Sequence, residues 1–481
     1  MFLGLDYGTS EVKVLLMNAA GEIIATQGAA LSVSRPQPMH SEQNPIDWWA
    51  ATVAALSMLR EKYAVEYAQI KAIGLSGQMH GAVLLDAAHE VLRPAILWND
   101  TRSHAECAEL TAAVPHLHEL AGNLAMAGFT APKLLWVAKY EPEIFAQIHK
   151  VLLPKDCIRF LLTGQFVSDM SDAAGTLWLD VARRDWSDEL LAATGLSRAH
   201  MPSLVEGSAN SGAVLASVAA QLGLPAGVMI AGGGGDNAAS AVGIGAVNTG
   251  DGFISLGTSG VLFVVNDKYR PNPAAAVHAF CHALPHRWHQ MSVMLSAASA
   301  LRWLCQTVSV HEAELLAEVE LLDDVQNAPL FLPYLSGERT PHNDPHAQGV
   351  FFGMTFATTR AHLAYAVIEG VSFGLLDGLN ALRAAGTQVN ELSLVGGGSR
   401  SAYWAQLLAD VLQVTIHTHV GSEAGGALGA ARLGALAFGL REVDVCVKPP
   451  IAATFEPRAF DGARYERFKS LYPAVQPFFV R

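Results

Sequence analysis

The chain reads DYGTSEV over residues 6–12, and near its middle it reads SLGTSGV over residues 255–261. In both places a Gly-Thr-Ser turn joins apolar residues that are typical of β-strands. A repeat separated by about half the chain indicates two related domains. The first copy carries a carboxylate, Asp6, at the position where the second copy has Ser255.

The length of the chain also favours two domains, because 481 residues exceed what one hydrophobic core usually organises. The stretch over residues 246–252 is rich in turn-forming residues and predicts the boundary. We therefore expect an N-terminal domain of residues 1–247 and a C-terminal domain of residues 248–481.

Strand and helix patterns alternate along the chain. The opening predicts an antiparallel meander of strands over residues 2–6, 12–17 and 22–26, followed by a helix that Asp47 caps. The C-terminal half predicts helices over 361–382, 401–412 and 425–436, with a strand over 391–395. This alternation is typical of layered α/β domains.

Composition and charge exclude several classes of protein. The formal net charge is 31 − 44 = −13 without a basic run, and such a surface repels nucleic acid and anionic membranes. The N-terminus has no basic start, and no apolar stretch reaches the length of a membrane span. Five scattered cysteines form no CxxC pair, which is typical of thiols in a reducing compartment. We therefore expect a cytoplasmic protein with no nucleic-acid or membrane partner.

Four glycine-rich turns follow apolar runs, at residues 8–10, 232–235, 257–260 and 396–399. Glycine lets the backbone approach a ligand, and consecutive N–H groups can hold phosphate oxygens. Each turn taken singly could be an ordinary loop. The chain has no GxxxxGK[ST] motif and no GxGxxG after its first strand, so neither a P-loop nor a dinucleotide-binding start is supported.

The chain resembles the FGGY family of ATP-dependent carbohydrate kinases. The four turns occur in the order seen in that family, and they are flanked by Asp6, Lys13, Asp236 and Asn237. The resemblance extends over essentially the whole chain. The segments QMHG (78–81), WNDTR (98–102) and PYLSGERTP (333–341) are similar to the members of that family that act on xylulose.

The resemblance implies an α/β fold of two actin-like (ribonuclease H-like) ATPase domains with a cleft between them. It implies ATP and Mg²⁺ as cofactors and D-xylulose as the substrate, with sugar and metal on the N-terminal side and nucleotide on the C-terminal side. Two alternatives remain: a kinase of the same family for ribulose, gluconate, fuculose or glycerol, or an actin-like ATPase that is not a kinase. Members of the family are often dimers, so the resemblance leaves a homodimer open.

The resemblance also assigns roles to residues. Asp236 is the expected general base, and Asp6 is expected to orient Mg²⁺ through water. The expected sugar contacts are Met79, His80, Asp236 and Asn237. The expected nucleotide contacts are Gly8, Thr9, Ser10, Lys13, Gly257, Thr258, Gly397, Gly398 and Ser399.

Each assignment has a structural alternative. Asp236 could cap the helix that follows it, Asp6 could form an Asx-turn at Gly8, and Lys13 could be a solvated strand residue. A lone His such as His80 is more often structural than functional. Trp98 and Arg102 could belong to the core or hold a loop.

Four histidines, His278, His282, His286 and His289, are spaced like metal ligands. Pro285 would break a helix there, and no acidic or Cys ligand accompanies them at a fitting position. We expect no zinc site in this segment.

Overall fold

A computed structural model describes residues 1–420 and 425–480. Its first sheet is organised around the strand Phe2–Tyr7, which pairs in parallel with Ala72–Gly77 and antiparallel with Glu11–Met17. Almost every residue of this central strand is buried, as expected of a strand with both faces covered. In spatial order, the strands of the first sheet are Asn210–Ala213, Met229–Ala231, Ala72–Gly77, Phe2–Tyr7, Glu11–Met17 and Ile23–Ala30, and Gly234–Gly235 also pairs with Ala72–Gly77.

The second sheet repeats this arrangement around the strand Gly252–Leu256. This strand pairs antiparallel with Gly260–Asn266 and in parallel with Glu391–Val395. The repeated stretch in the sequence therefore forms the same strand–turn–strand unit in both halves. In spatial order, the strands of the second sheet are His278–Cys281, Trp288–Met294, Gly260–Asn266, Gly252–Leu256, Glu391–Val395, Thr415–His419 and Ile451–Phe455.

Helices cover both sheets, and short strand pairs lie outside them. The helices are Pro45–Lys62, Ala64–Tyr67, His104–Ala113, Leu117–Ala121, Thr130–Tyr140, Pro142–Phe145, Pro154–Thr163, Met170–Ala173, Asp188–Ala192, Ala216–Leu222, Asp236–Gly243, Ala298–Val308, Glu312–Glu320, Arg360–Ala384, Ala402–Leu412, Gly425–Phe438, Glu442–Val445 and Ala463–Val475. The short strands are Glu42–Gln43, Val83–Leu85, Ala95–Ile96, Lys150–Leu152, Val167–Asp169, Leu179–Asp180, Asp185–Trp186, Ser203–Val205, Leu330–Leu332 and Val350–Phe352. None of the helices in the described part of the chain is long and apolar enough to cross a lipid bilayer.

The first long helix begins earlier than the sequence predicted. Its N-cap is Asn44, whose side chain accepts a hydrogen bond from the Ile46 N–H, and Pro45 occupies the first helical position. Asp47 lies inside the first turn, so its prediction as the cap was wrong. The predicted domain boundary after residue 247 falls between the helix Asp236–Gly243 and the strand Gly252–Leu256, and it stays a prediction.

One helix from the C-terminal half packs on the first sheet. This helix, Gly425–Phe438, which we call the crossing helix, lies against Phe2–Tyr7 and Ala72–Gly77. Glycine makes the contact possible, because a Cβ placed on Gly74 would lie 1.8 Å from the carbonyl oxygen of Ala430. On another side, a Cβ on Gly429 would lie 1.7 Å from the carbonyl oxygen of Ala239, in the helix Asp236–Gly243. The crossing helix therefore joins both halves of the molecule through direct backbone contact.

We expect Gly74→Ala to destabilise the protein by about 1–3 kcal/mol or more, since the new methyl group collides with a helix backbone that cannot move away alone. Gly462→Ala is the control, because no atom lies within 4 Å of the place its new methyl group would take and its φ is −68°. The free energies of unfolding in urea give the comparison, and the control is expected to change by no more than about 0.5 kcal/mol. Equal effects at the two positions would contradict the packing described.

Candidate active site

The carboxylate of Asp6 lies where the first sheet meets the crossing helix. The Ser76 hydroxyl donates to Asp6 Oδ1 at 2.8 Å, and Asp6 Oδ2 lies 2.7 Å from the position that a Cβ on Gly426 would take. The carboxylate thus faces the first turn of the crossing helix, where backbone N–H groups favour a negative charge. Burial nevertheless raises the pKa of Asp6 above its usual value.

The second carboxylate, Asp236, is the first residue of the helix Asp236–Gly243, and Gly235 is the N-cap. Its Oδ1 accepts hydrogen bonds from the backbone N–H of Asn237 at 2.7 Å and from the Asn237 side-chain amide at 3.0 Å. Burial raises the pKa of Asp236 to about 6, and the negative charge of nearby Asp6 adds to the effect. The two predicted acids therefore lie close enough to interact.

The glycine run before Asp236 is held by a buried arginine. The guanidinium of Arg159 donates to the carbonyl oxygens of Ala231, at 2.6 Å, and of Gly232. The hydroxyl of Ser171 accepts a hydrogen bond from the Gly235 N–H at 3.2 Å. These contacts fix the backbone on both sides of the turn. The Asp236 side chain is therefore attached to a rigid backbone.

A buried ionic cluster lies beneath these contacts. Lys155 Nζ lies 2.6 Å from Asp156, 2.8 Å from Asp169 and 3.0 Å from Asp172, and all four side chains are fully buried. Asp169 in turn accepts a hydrogen bond from the Ser171 hydroxyl. Burial raises the pKa of Asp172 well above its usual value. Sequence reasoning missed this cluster, although charged residues in the otherwise apolar helix Pro154–Thr163 were its available signal.

The predicted sugar contacts Met79 and His80 lie beside the glycine run. A Cβ on Gly235 would lie 2.8 Å from Met79 Cγ, so the Met79 side chain packs directly against the backbone that precedes Asp236. His80 has a positive φ of 70°, and its Nδ1 lies 2.6 Å from the carbonyl oxygen of Gly175. A carbonyl only accepts, so Nδ1 carries the proton and Nε2 is left as an acceptor. Burial lowers the pKa of His80 to about 3, which keeps the ring neutral.

The first Gly-Thr-Ser turn lies next to the tryptophan loop. The Thr9 hydroxyl donates to Gln78 Oε1 at 3.2 Å and accepts from the Trp98 indole N–H at 2.9 Å. Ser10 is exposed. Lys13 lies opposite Asp6 in the register of the two antiparallel strands. Its ammonium group lies 3.4 Å from the Glu11 carboxylate, and about a third of the Lys13 side chain is exposed. These partners orient the turn toward the loop that holds Trp98.

Arg102 holds that loop together. Its guanidinium binds Asp100 Oδ2 at 2.7 Å and Glu42 at 2.7 Å, and it lies 4.9 Å from the centre of the Trp136 ring. These contacts agree with the structural alternative, in which Arg102 holds the loop in place. Trp98, by contrast, leaves 47% of its surface exposed.

A cavity of about 750 Å³ opens beside Asn237 and is lined by residues of both halves. From the C-terminal half come Ser255, Gly396, Gly397 and Ser399, and from the crossing helix comes Gly426. Gly397 and Ser399 were predicted nucleotide contacts, whereas Gly398 is buried against Leu256. The remaining lining residues are Ser240, Ile244, Phe253, Val395, Arg400, His419 and Gly425.

The other predicted nucleotide residues lie outside this lining. Among the described residues, Gly8, Thr9, Ser10, Lys13, Gly257 and Thr258 do not line the cavity. Thr258 is exposed, and its carbonyl oxygen accepts a hydrogen bond from the Ser299 hydroxyl at 2.6 Å. Ser255, His419 and the glycines of the crossing helix were not predicted. Ser255 and His419 lie on strands of the second sheet, and the crossing helix adds its glycines to the same lining.

The chain matches both domain models of one protein family. Residues 1–243 match the N-terminal domain of the FGGY family of carbohydrate kinases, and residues 252–438 match its C-terminal domain. The xylulose kinase of Escherichia coli (strain K12) is 50% identical over 99% of both chains. The xylulose kinase of Klebsiella pneumoniae is 51% identical over 90% of this chain and 89% of its own.

Solved structures agree with this assignment. The xyloylose kinase of Brucella ovis superposes with a TM-score of 0.96 at 51% identity, covering 99% of both chains. The xylulose kinase of Rhodospirillum rubrum gives a TM-score of 0.92 at 29% identity over 100% of both chains. The predicted fold class, two α/β domains of the sugar-kinase type, is therefore confirmed.

The buried ionic cluster generates a stability prediction. Lys155→Met should cost about 3–5 kcal/mol, because it leaves three buried carboxylates without their common cation. Lys469→Met is the control, since that lysine binds Glu466 at 2.8 Å with 43% of its own side chain and 68% of the Glu466 side chain exposed, and such pairs contribute about 1 kcal/mol or less. Urea unfolding of both variants measures the difference, and an equal loss would show that the buried cluster contributes no more than a surface ion pair.

Proposed function

The chain belongs to the FGGY family of carbohydrate kinases, and from this premise we propose that it transfers the γ-phosphoryl group of ATP to D-xylulose. The products are ADP and D-xylulose 5-phosphate. The observation that carries the proposal is the placement of Asp236, a carboxylate with a pKa of about 6, beside a cavity that both halves line. Identity of 50% over nearly the full length of a xylulose kinase favours this substrate within the family.

Asp236 acts as the general base. Its carboxylate accepts the proton of the terminal sugar hydroxyl as that oxygen attacks the γ-phosphorus and the bond to the β-phosphate oxygen of ATP breaks. A pKa of about 6 suits this role, because the group is mostly ionised at neutral pH and is more basic than an ordinary carboxylate. The Asn237 amide and N–H hold one carboxylate oxygen, which leaves the other for the sugar.

The remaining residues position the two substrates. His80 offers Nε2 as an acceptor to a sugar hydroxyl, and Met79 supplies an apolar surface beside it. Gly397 and Ser399 lie along the cavity that accepts the nucleotide. Phosphoryl transfer depends mainly on such positioning and on stabilisation of charge, because the protein forms no covalent bond to the phosphoryl group. Closure of the two halves would exclude water that competes as an acceptor.

Mg²⁺ fits the chemistry of this site. Asp6 and Asp236 place two carboxylates close together, and the described residues contain no cluster of three or more acidic, His or Cys ligands. Mg²⁺ is commonly bound by one or two carboxylates together with water and substrate phosphates. Asp6 would hold the ion, through water, and the bound ion would neutralise charge on the transferred phosphoryl group.

A substrate panel tests the function directly. The purified protein is incubated with Mg-ATP and one of D-xylulose, ribulose, gluconate, fuculose or glycerol, and ADP release is measured with and without each compound. We expect the highest kcat/KM with D-xylulose and little ADP release without an acceptor. Equal or better turnover of another compound would overturn the choice of substrate. Release of ADP that is independent of every acceptor would indicate an ATPase that is not a kinase.

Asp236→Ala should lower kcat for D-xylulose by about 10²-fold or more, since the hydroxyl loses its proton acceptor. The Kd of the sugar, measured by calorimetry, should change little, because the base contributes mainly in the transition state. Asp188→Ala is the control, because that carboxylate is three-quarters exposed and pairs with Arg198 at 2.7 Å. Near-normal turnover of the Asp236 variant would mean that another group is the base.

The raised pKa of Asp236 predicts an acid limb in the rate profile. Because the ionised carboxylate is the active form, kcat/KM should be constant above about pH 7. Well below pH 6 it should decrease by about tenfold for each pH unit. The profile of kcat/KM for D-xylulose is measured with saturating Mg-ATP between about pH 4.5 and pH 8, and so reports the enzyme with nucleotide but no sugar bound. An inflection near pH 4, the range of an ordinary carboxylate, would contradict the environment described for Asp236.

A further inference from the structure

Arg339 projects from the segment 333–341 toward His278. Its Nη1 lies 3.3 Å from His278 Nε2. The other ring nitrogen of His278 lies 2.8 Å from Asn123 Oδ1. The Asn123 amide nitrogen donates to the carbonyl oxygens of Ala121 and Ala279, so the orientation of that amide is fixed. His278 therefore carries its proton on Nδ1 and accepts from Arg339 at Nε2.

A line of rings connects this arginine with the predicted sugar contact. The His80 ring lies 4.4 Å from the Phe129 ring, which lies 5.8 Å from the His278 ring. Burial lowers the pKa of His80 and His278, and the positive charge of Arg339 contributes to both shifts. The guanidinium thus lies against the neutral imidazole of His278, and its charge also reaches that of His80.

Arg339 forms no close ion pair with a carboxylate among the described residues, although the charge of the adjacent Glu338 acts on its pKa. The neighbouring Glu338 uses Oε1 to accept from the N–H groups of Leu295 and of Arg339 itself, and its side chain forms no ion pair with the guanidinium. Three other partly or fully buried arginines are paired with carboxylates, Arg102 with Asp100, Arg184 with Glu206 and Arg464 with Glu369, whereas buried Arg432 donates to the carbonyl oxygen of Val242. A guanidinium has five N–H donors, and only one of those of Arg339 has a side-chain partner here.

No atom of Arg339 is both buried and without a partner, so its remaining N–H donors are open to oxygen acceptors of a bound ligand. The contacts run in order from Asp236 through Gly235 and Met79 to His80, and then through Phe129 and His278 to Arg339. A five-carbon sugar that reacts at Asp236 and extends past Met79 and His80 would have its other end on the side where Phe129, His278 and Arg339 follow. The oxygens at that end of a 2-ketose are a carbonyl and a hydroxyl.

We propose that Arg339 is a substrate-binding residue that donates hydrogen bonds to the carbonyl and neighbouring hydroxyl of the ketose, at the end remote from the transferred phosphoryl group. This assignment rests on the proposed function, since it takes the sugar to react at Asp236. The carbonyl oxygen is the acceptor that distinguishes a ketose from the corresponding polyol. Arg339 belongs to the C-terminal half and His80 to the N-terminal half, so a sugar held by both would also connect the halves.

The test compares Arg339→Gln and Arg339→Lys with wild type. We measure KM and kcat for D-xylulose, KM for ATP, and the same constants for xylitol, the polyol that lacks the carbonyl. Arg339→Gln should raise the KM for D-xylulose by about 10²-fold, as expected for the loss of charge-assisted hydrogen bonds. The KM for ATP should stay within about twofold, and discrimination between ketose and polyol should fall. Arg339→Lys should lie between wild type and Arg339→Gln.

Arg184→Gln is the matched control. Arg184 is also largely buried, but it pairs with Glu206 at 2.7 Å and packs over the Trp288 ring. Its loss should lower the thermal midpoint without raising the KM for the sugar. If Arg339→Gln does not fold, Arg339→Lys decides the question by its sugar KM and by calorimetric binding of D-xylulose.

The possible failures are distinguishable. If wild type fails to phosphorylate D-xylulose, the proposed function is wrong, and the Arg339 variants are then measured with the compound that wild type does phosphorylate. If wild type is active and the folded Arg339 variants keep a wild-type sugar KM, the assignment of Arg339 is wrong and the proposed function stands. An equal rise in KM for D-xylulose and xylitol would overturn recognition of the carbonyl.

Discussion

The direct backbone contact between the crossing helix, Gly425–Phe438, and the first sheet is the constraint on which the site depends. At Gly74 and Gly429 any side chain would collide with a facing carbonyl oxygen, so the helix and the sheet approach more closely than ordinary side-chain packing allows. The contact brings the first turn of the crossing helix to Asp6 and its neighbour, the helix Asp236–Gly243, to the same edge. Two carboxylates from distant parts of the sequence thereby lie next to residues that line the cavity, Asp6 beside Gly426 and Asp236 before Asn237.

The buried ionic cluster around Lys155 serves a different purpose. Burial of charges is costly even when they are paired, so such a cluster is weak evidence of stability by itself. Its contacts through Ser171, together with those of Arg159, end on the glycine run that precedes Asp236. We interpret the cluster as a rigid support for a carboxylate that must be held in one orientation, which is the requirement of catalysis by positioning.

Much of the fold could be predicted from the sequence, whereas the roles of the two acids came from family resemblance and stay predictions. The repeated Gly-Thr-Ser stretch is local, and its strand–turn–strand form follows from the turn residues themselves. The cap at Asn44 was missed because Asn and Asp both favour caps and only the position of Pro45 separates them. The ionic cluster and the partner of Arg339 could not be predicted, because they depend on contacts between residues far apart in the chain. The substrate was indicated by family resemblance rather than by any pattern of residue spacing.

The most direct measurement is a crystal structure of the protein with D-xylulose and a non-hydrolysable ATP analogue. The account predicts that the terminal sugar oxygen lies about 2.6–3.2 Å from the Asp236 carboxylate, within reach for proton transfer, with the γ-phosphate opposite it. A sugar bound outside the pocket of Met79 and His80, or a terminal oxygen beyond hydrogen-bond reach of Asp236 in the closed complex, would contradict it.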